Sequence, residues 1–277
     1  MTPTKKLFLL DAYALIFRAY YAFISRPIRN SKGLNTSAIF GFITALDEVI
    51  RKEKPTHIAV AFDPPSPTFR HEMYDAYKAN REETPPDIRL SVPYIKAILE
   101  AYRIPVLEFD GYEADDVIGT VSRQARGKGF EVYMMTPDKD YAQLVGEGIY
   151  MFKPRRAGND SELWGVQEVL DKFEIEDPLQ VIDILALWGD SSDNIPGAPG
   201  IGEKTAKKLI SQFGSVEKLL ANTTQLKGKQ KESIENNAEQ ILLSKQLVTI
   251  DTEVPVNFGI DELIVKEWDK NKLEELF

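Results

Sequence analysis

Nine carboxylates carry the chemical signal of this 277-residue chain. Asp11 ends the apolar run Leu7–Leu10, Asp63 follows the run His57–Phe62, and Asp138 and Asp140 follow Phe130–Met135. Glu113, Asp115 and Asp116 stand in GYEADD, just beyond a third short run, and Asp190 and Asp193 stand in LWGDSSDNIPG. Any one of these acids could simply cap a helix N-terminus or meet its dipole. Their repeated placement just past apolar runs is harder to explain that way, because ligand sites of open parallel sheets form outside the carboxyl ends of the strands. If the acids converge, two unit charges about 4 Å apart repel by about 4 kcal/mol even at an effective dielectric of about 20, so the group must protonate or bind cations.

The chain has no cysteine, and its only histidines are His57 and His71. Thiolate zinc sites, iron–sulfur clusters, cysteine nucleophiles and multi-histidine metal sites are therefore excluded. Carboxylate oxygens alone select hard ions, Mg²⁺, Mn²⁺ or Ca²⁺. Nine acids suit two divalent ions better than one, and a pair roughly 3.5–4 Å apart is the arrangement used for in-line displacement at phosphorus. The net charge of −9 looks unfavourable for a nucleic-acid partner. With the nine acids set aside the remainder is neutral, and the objection disappears.

Two segments have the makings of phosphate contacts. Gly200-Ile201-Gly202 opens a stretch bearing Lys204, Lys207 and Lys208, the pattern of a helix–hairpin–helix at about 190–214. Its glycines let backbone N–H groups approach a phosphate, and the following helix N-terminus favours the anion. Such contacts carry no base code. In the second segment, Arg70, Tyr74, Lys78 and Arg81 recur at spacings of four, four and three, so a helix from Phe69 to about Glu83 would align them on one face. Tyr77 adjoins Lys78, and cations interleaved with aromatics can follow a backbone and stack on unpaired bases. A charged helix taken alone is usually only a solvated face. Flanked by prolines and placed just after Asp63, this one reads as a gate beside the acids. Tyr20, Tyr21 and Phe23 read as core.

The elements that must position these residues alternate in the first half. Apolar runs at Leu7–Leu10, His57–Phe62, Ile104–Leu107, Phe130–Met135 and Ile149–Phe152 read as strands. Helical stretches separate them at Ala12–Tyr21, from Thr36 or Ser37 as cap to about Glu53, at Ser91–Ala101 with Pro93 in its first turn, and at Ala114–Gln124. That order predicts an α/β unit with a mostly parallel central sheet covered by helices on both faces. From about Val166 to Val248 helices dominate, so the expected division is 1–165, containing the gate at about 68–90, and 166–277. A composition of 43% hydrophobic and 28% charged residues is that of a globular protein. Lys5-Lys6 precedes an apolar run that Asp11 interrupts, and no run approaches the roughly 18 apolar residues of a membrane span. The expectation is a soluble, cytoplasmic protein with no membrane partner.

FDPPSPTFRHEMYDAYKANR, GYEADD, TPDKD and GDSSDNIPGAPGIGEKTA together resemble the 5′-nuclease (5′–3′ exonuclease, flap endonuclease) family, in the form found at the amino terminus of bacterial DNA polymerase I, over essentially the whole chain. The resemblance implies a PIN/resolvase-like sheet, a helical arch over the active site and a helix–hairpin–helix subdomain that grips duplex DNA. It implies that Asp11, Asp63, Glu113, Asp115 and Asp116 serve one metal position and that Asp138, Asp140, Asp190 and Asp193 serve the second, with Mg²⁺ or Mn²⁺ as the ions and K⁺ at the hairpin. Lys78 and Arg81 would contact the scissile region or the threaded strand. Arg70, Tyr77, Gly200, Gly202, Lys204 and Lys207 would bind DNA.

The implied activity is two-metal hydrolysis of phosphodiester bonds at 5′ flaps, nicks and junctions, removing RNA primers and displaced strands in replication and repair, by a monomer. The chain ends at LEELF without a helix stop signal, which reads as a fragment of a longer polymerase. Two alternatives are a related metal-dependent ribonuclease and a non-catalytic junction-binding module.

Overall fold

A computed structural model describes residues 5–154 and 161–276; Phe277, the last residue of LEELF, lies outside them. Six strands form one sheet: β1 Lys6–Asp11, β2 His57–Ala61, β3 Val106–Leu107, β4 Glu131–Met135, β5 Ile149–Lys153 and β6 Glu162–Trp164. Their spatial order is β3-β2-β1-β4-β5-β6, parallel except for the β5–β6 pair. The chain lays strands to one side of β1 and then returns to place β4 on its other side. This reversal makes β1/β4 the topological switch point, where the carboxyl ends of the strands leave a crevice.

The central strands are buried on both faces, and alternation divides the sheet's inward side chains between two cores. Phe8, Leu10, Ile58, Val60, Met135 and Phe152 meet one helical layer, formed by α1 Ala12–Ala22, α2 Ser37–Glu53 and α4 Pro86–Ala101. Leu7, Leu9, Ala59, Ala61, Val132, Met134 and Met151 meet the other. That second layer comprises α5 Ala114–Gly127 together with the helices of the second half. These are α6 Val166–Phe173, α7 Gln180–Trp188, α8 Glu203–Phe213, α9 Val216–Ala221, α10 Gly228–Asn236 and α11 Ala238–Val248. The apolar helix α7 is buried along most of its length, as expected of a helix at the centre of a core. The terminal helix α12 Lys270–Leu276 returns to α4, with Lys272 paired to Glu100.

Three local expectations are corrected. The helix expected at Ser91 begins at Pro86, because a proline in the first turn loses no hydrogen bond and has φ already set. Pro85-Pro86 is thus a helix start, and Pro93 lies inside the helix. Thr36 does occupy the N-cap position of α2, but no side-chain hydrogen bond caps the helix. Thr36 Oγ1 donates to the Ile28 carbonyl at 3.3 Å, and Ser37 Oγ accepts from Ile28 N at 2.9 Å. The helix expected from Phe69 to Glu83 exists only as α3, Phe69–Met73. Beyond it, tertiary contacts replace the helical ladder: Lys78 N donates to Asp193 O at 2.9 Å, Asn80 Nδ2 to Ser191 O at 2.7 Å, and Asn194 Nδ2 to Ala76 O at 2.6 Å. The antiparallel edge strand β6 has no counterpart among the expected strands, since three half-exposed residues carry little periodic signal.

Candidate active site

Seven of the nine acids line one open cleft of about 660 Å³ at the carboxyl ends of the strands: Asp11, Asp63, Glu113, Asp115, Asp138, Asp140 and Asp193. Asp11 ends β1, where Oδ1 accepts from Ala14 N at 3.2 Å and Oδ2 from Thr136 Oγ1 at 3.1 Å. Asp63 lies just past β2 and accepts from Ala114 N at 2.7 Å, which fastens the start of α5 to the β2 end. Glu113 is the N-cap of α5, and Asp138 caps the 3₁₀ turn Lys139–Leu144 through Asp140 N at 3.1 Å. Capping and metal ligation are compatible readings of the same carboxylate, because a cap uses only part of its acceptor capacity.

Burial and mutual repulsion make this cluster expensive. Burial, then the charge of Asp63, pushes the Asp11 carboxyl up to about 7; burial, then Asp138, pushes Asp140 up to about 8. Burial also raises Asp63 and Asp138, and burial with the adjacent Asp116 charge raises Asp115 well above the usual range. Asp140 Oδ1 is buried and receives no hydrogen bond, with Lys139 Nζ standing 3.2 Å away outside bonding geometry.

Cations of the chain answer part of the charge. Lys78 Nζ donates to Glu113 Oε2 at 2.6 Å and lies 3.8 Å from Asp193, while Arg81 pairs with Asp193. Burial would raise Glu113, but Lys78 and Arg70 outweigh it and hold that carboxyl below its ordinary value. The same pairs keep Lys78 protonated despite its burial. Among the described residues no three acids form a closed metal cage; the carboxylates are shared with these cations. An all-oxygen donor set, two carboxyls held near neutrality and a buried oxygen without a donor fit hard divalent ions.

Family models cover nearly the whole of this architecture. The 5′–3′ exonuclease N-terminal, resolvase-like domain matches residues 6–174, and the 5′–3′ exonuclease C-terminal SAM fold matches residues 176–271. The chain belongs to the 5′–3′ exonuclease family. DNA polymerase I of Bacillus caldotenax is 41% identical over 274 residues, 99% of this chain and 31% of that protein. DNA polymerase I of Bacillus subtilis is 41% identical over 278 residues, 100% of this chain and 31% of that protein. The chain thus spans about a third of the length of these curated relatives.

Among solved structures, a bacteriophage T5 flap endonuclease in complex with DNA and metal ions superposes with a TM-score of 0.72 at 22% identity, over 98% of this chain and 99% of that one. The catalytic core of Rad2 with DNA substrate gives 0.65 at 16%, over 99% and 86%. At these identities the likeness is one of fold.

In this 5′–3′ exonuclease family member several of the expected site residues are buried or bonded within the fold. Asp116 is fully buried, and its oxygens accept two bonds from Arg70 at 2.7 and 2.8 Å, one from Glu113 N and one from Asp251 N. With its acceptor positions filled it stands behind the cleft as an anchor. Arg70, expected to face DNA, is 2% exposed and also donates to the carbonyls of Leu247 and Thr249. Tyr77, expected to stack on bases, is 3% exposed, and its hydroxyl donates between Glu113 at 3.1 Å and Asp193 at 3.2 Å. Asp190 is held by Lys139 Nζ at 2.6 Å and Ser192 N at 2.7 Å, off the cleft lining. Lys207 is tied to its own fold by Glu203 at 2.7 Å and the Lys172 carbonyl at 2.9 Å, whereas Lys204 is exposed.

The hairpin itself follows the spacing. Gly202 is the N-cap of α8, and Gly200 has φ +77°. A Cβ added at either would meet nothing within 4 Å, so both backbones are open to a ligand. Sequence reasoning missed Lys139, although it lies inside TPDKD, because only the acids of that motif were weighed. It also took Tyr21 for core. Tyr21 is 56% exposed, lines the cleft and stacks on Phe17 one turn earlier.

Proposed function

We propose that the chain is a divalent-metal-dependent, structure-specific 5′ nuclease that hydrolyses phosphodiester bonds at 5′ flaps, nicks and junctions, on DNA and on RNA primer strands, as a cytoplasmic monomer. The observation that carries this reading is the convergence of seven carboxylates in one cleft, with Asp11 and Asp140 held near neutrality. Two Mg²⁺ or Mn²⁺ ions held by Asp11, Asp63, Glu113 and Asp115 and by Asp138, Asp140 and Asp193 would activate water and offset charge at the departing 3′ oxygen. Asp116 and Asp190 act behind these ligands, through Arg70 and Lys139.

The chain's own residues account for substrate placement. Lys78 and Arg81 reach the cleft from the segment after α3 and supply fixed positive charge for a phosphate, Lys78 being the residue that stabilises charge in the transition state. Gly200, Gly202 and the α8 N-terminus present backbone N–H groups to the duplex phosphates, with exposed Lys204 beside them. K⁺ at this hairpin belongs to the same reading. Specificity then follows duplex and flap shape, with little dependence on base sequence.

The test is cleavage of a 5′-labelled flap substrate in Mg²⁺ by wild type, Asp63→Ala and Lys78→Ala. Cutting at the junction by wild type is expected, with loss of at least about 100-fold in either variant while binding to the flap in Ca²⁺ persists. Wild-type binding without cutting in Mg²⁺ or Mn²⁺ would leave a junction-binding module in place of a nuclease.

A further inference from the structure

Tyr141 follows Asp140 directly and lines the acidic cleft. Its ring belongs to the core shared by the sheet and the second-half helices, and the residue is 1% exposed. Its hydroxyl is buried and has no hydrogen-bond partner among the described residues. Folded proteins seldom keep such a group, because an unpaired buried hydroxyl forfeits its bonds to water and gains nothing in exchange. Phenylalanine would fill the same volume without that cost. The hydroxyl lies within electrostatic reach of Asp11, Asp115, Asp138 and Asp63, which come from both groups of acids. The hydroxyl is thus a donor among acceptors that do not reach it.

We infer that the Tyr141 hydroxyl is a hydrogen-bond donor to an oxygen carried into the cleft with the divalent cations, either a hydration water of the ions or an oxygen of the scissile phosphate. The inference rests on the metal-dependent nuclease reading. It adds to that reading a neutral donor on the cleft floor, complementary to the cationic donors Lys78 and Arg81. A donor fixed by its packed ring is already oriented, and its unsatisfied state in the folded chain gives it a differential gain when the acceptor arrives.

Tyr141→Phe removes one oxygen and leaves the ring in place, so three measurements on the full chain decide the matter. In chelator the melting temperature is expected to hold or rise by up to about 4 °C. With Ca²⁺ alone as the calorimetric probe, or with the 5′ flap in Mg²⁺, at least one quantity is expected to fall about fivefold or more: Ca²⁺ affinity, or kcat with KM within about twofold. Loss of Ca²⁺ affinity identifies the hydration water, and loss of kcat alone identifies the phosphate oxygen. A lower melting temperature would mean that the hydroxyl has a structural partner and would overturn the inference. Unchanged Ca²⁺ affinity together with unchanged kcat would overturn it equally. If wild type cuts no flap, the nuclease reading falls, while Ca²⁺ affinity still decides whether the hydroxyl serves the cation site.

Discussion

At Asp140 the interests of folding and of ion binding pull in opposite directions. Its carboxyl and that of Asp11 are pushed up to about 8 and about 7 by burial and neighbouring acids, above their unfolded values near about 3.9. A raised acid pKa means that the folded state binds protons more tightly than the unfolded one. Stability therefore falls as pH climbs from the unfolded pKa through the folded pKa. The metal-free chain is expected to lose at least about 2 kcal/mol between about pH 5 and about pH 8, read from urea midpoints in chelator, and Mg²⁺ should restore most of it at the upper end. Asp140→Asn should flatten much of that slope, raise stability at about pH 8 by about 1 kcal/mol or more, and abolish the gain from Mg²⁺. A slope unchanged by the substitution would show that Asp140 does not hold the excess proton. The nine acids were legible because residue type and position after apolar runs are properties of the sequence. The roles of Arg70, Tyr77 and Asp116 were not, because whether a side chain points at a cleft or into a core depends on partners as distant as Thr249.

Elements read well where one face is apolar and poorly where polar tertiary contacts decide. The strands ending at Asp11 and Met135 and the helix after GYEADD stand within a few residues of their expected bounds. The segment from Tyr74 to Arg81 does not, since its backbone and Asn80 bond to the loop 190–194 in place of a helical ladder. The hairpin separates two uses of glycine. Gly197 has φ +59°, and a Cβ there would stand 2.5 Å from Gly189 N, so the turn closes only if both stay bare. Gly197→Ala should cost about 3 kcal/mol or more in a urea titration. Gly202 meets nothing within 4 Å and has no positive φ, so Gly202→Ala should leave stability within about 1 kcal/mol. If its role is to admit a phosphate to the backbone, the same variant should weaken flap binding in Ca²⁺ by about threefold or more. Binding at wild-type strength would remove this glycine from the interface.

On the scale of the whole molecule, the two halves that the sequence separates share one core. Leu7, Leu9, Val132 and Met134 from the sheet belong to the same buried cluster as Val181, Ile184 and Leu185 of α7 and Leu209 and Ile210 of α8. Polar ties cross the same boundary. Arg70, paired with Asp116 of α5, also holds the Leu247 and Thr249 carbonyls, and Gln143 donates to Val248 O at 2.9 Å and accepts from Ile250 N at 2.9 Å. Cutting after residue 174, where the two family models part, would leave α5 and α6 on that face of the sheet but remove α7 to α11 from it, and would leave a buried guanidinium short of acceptors. Burial of each large apolar side chain contributes about 1.5–3 kcal/mol, so losing several exceeds the about 5–15 kcal/mol by which a domain is stable. The fragment 1–174 is expected to keep far-UV dichroism but to lack near-UV signal, bind a hydrophobic dye and melt without cooperativity, while the full chain unfolds in a single transition. A sharp, dye-silent transition in the fragment would mean that the sheet unit carries a sufficient core of its own. In that case the acidic cleft could assemble without the helices that present the hairpin.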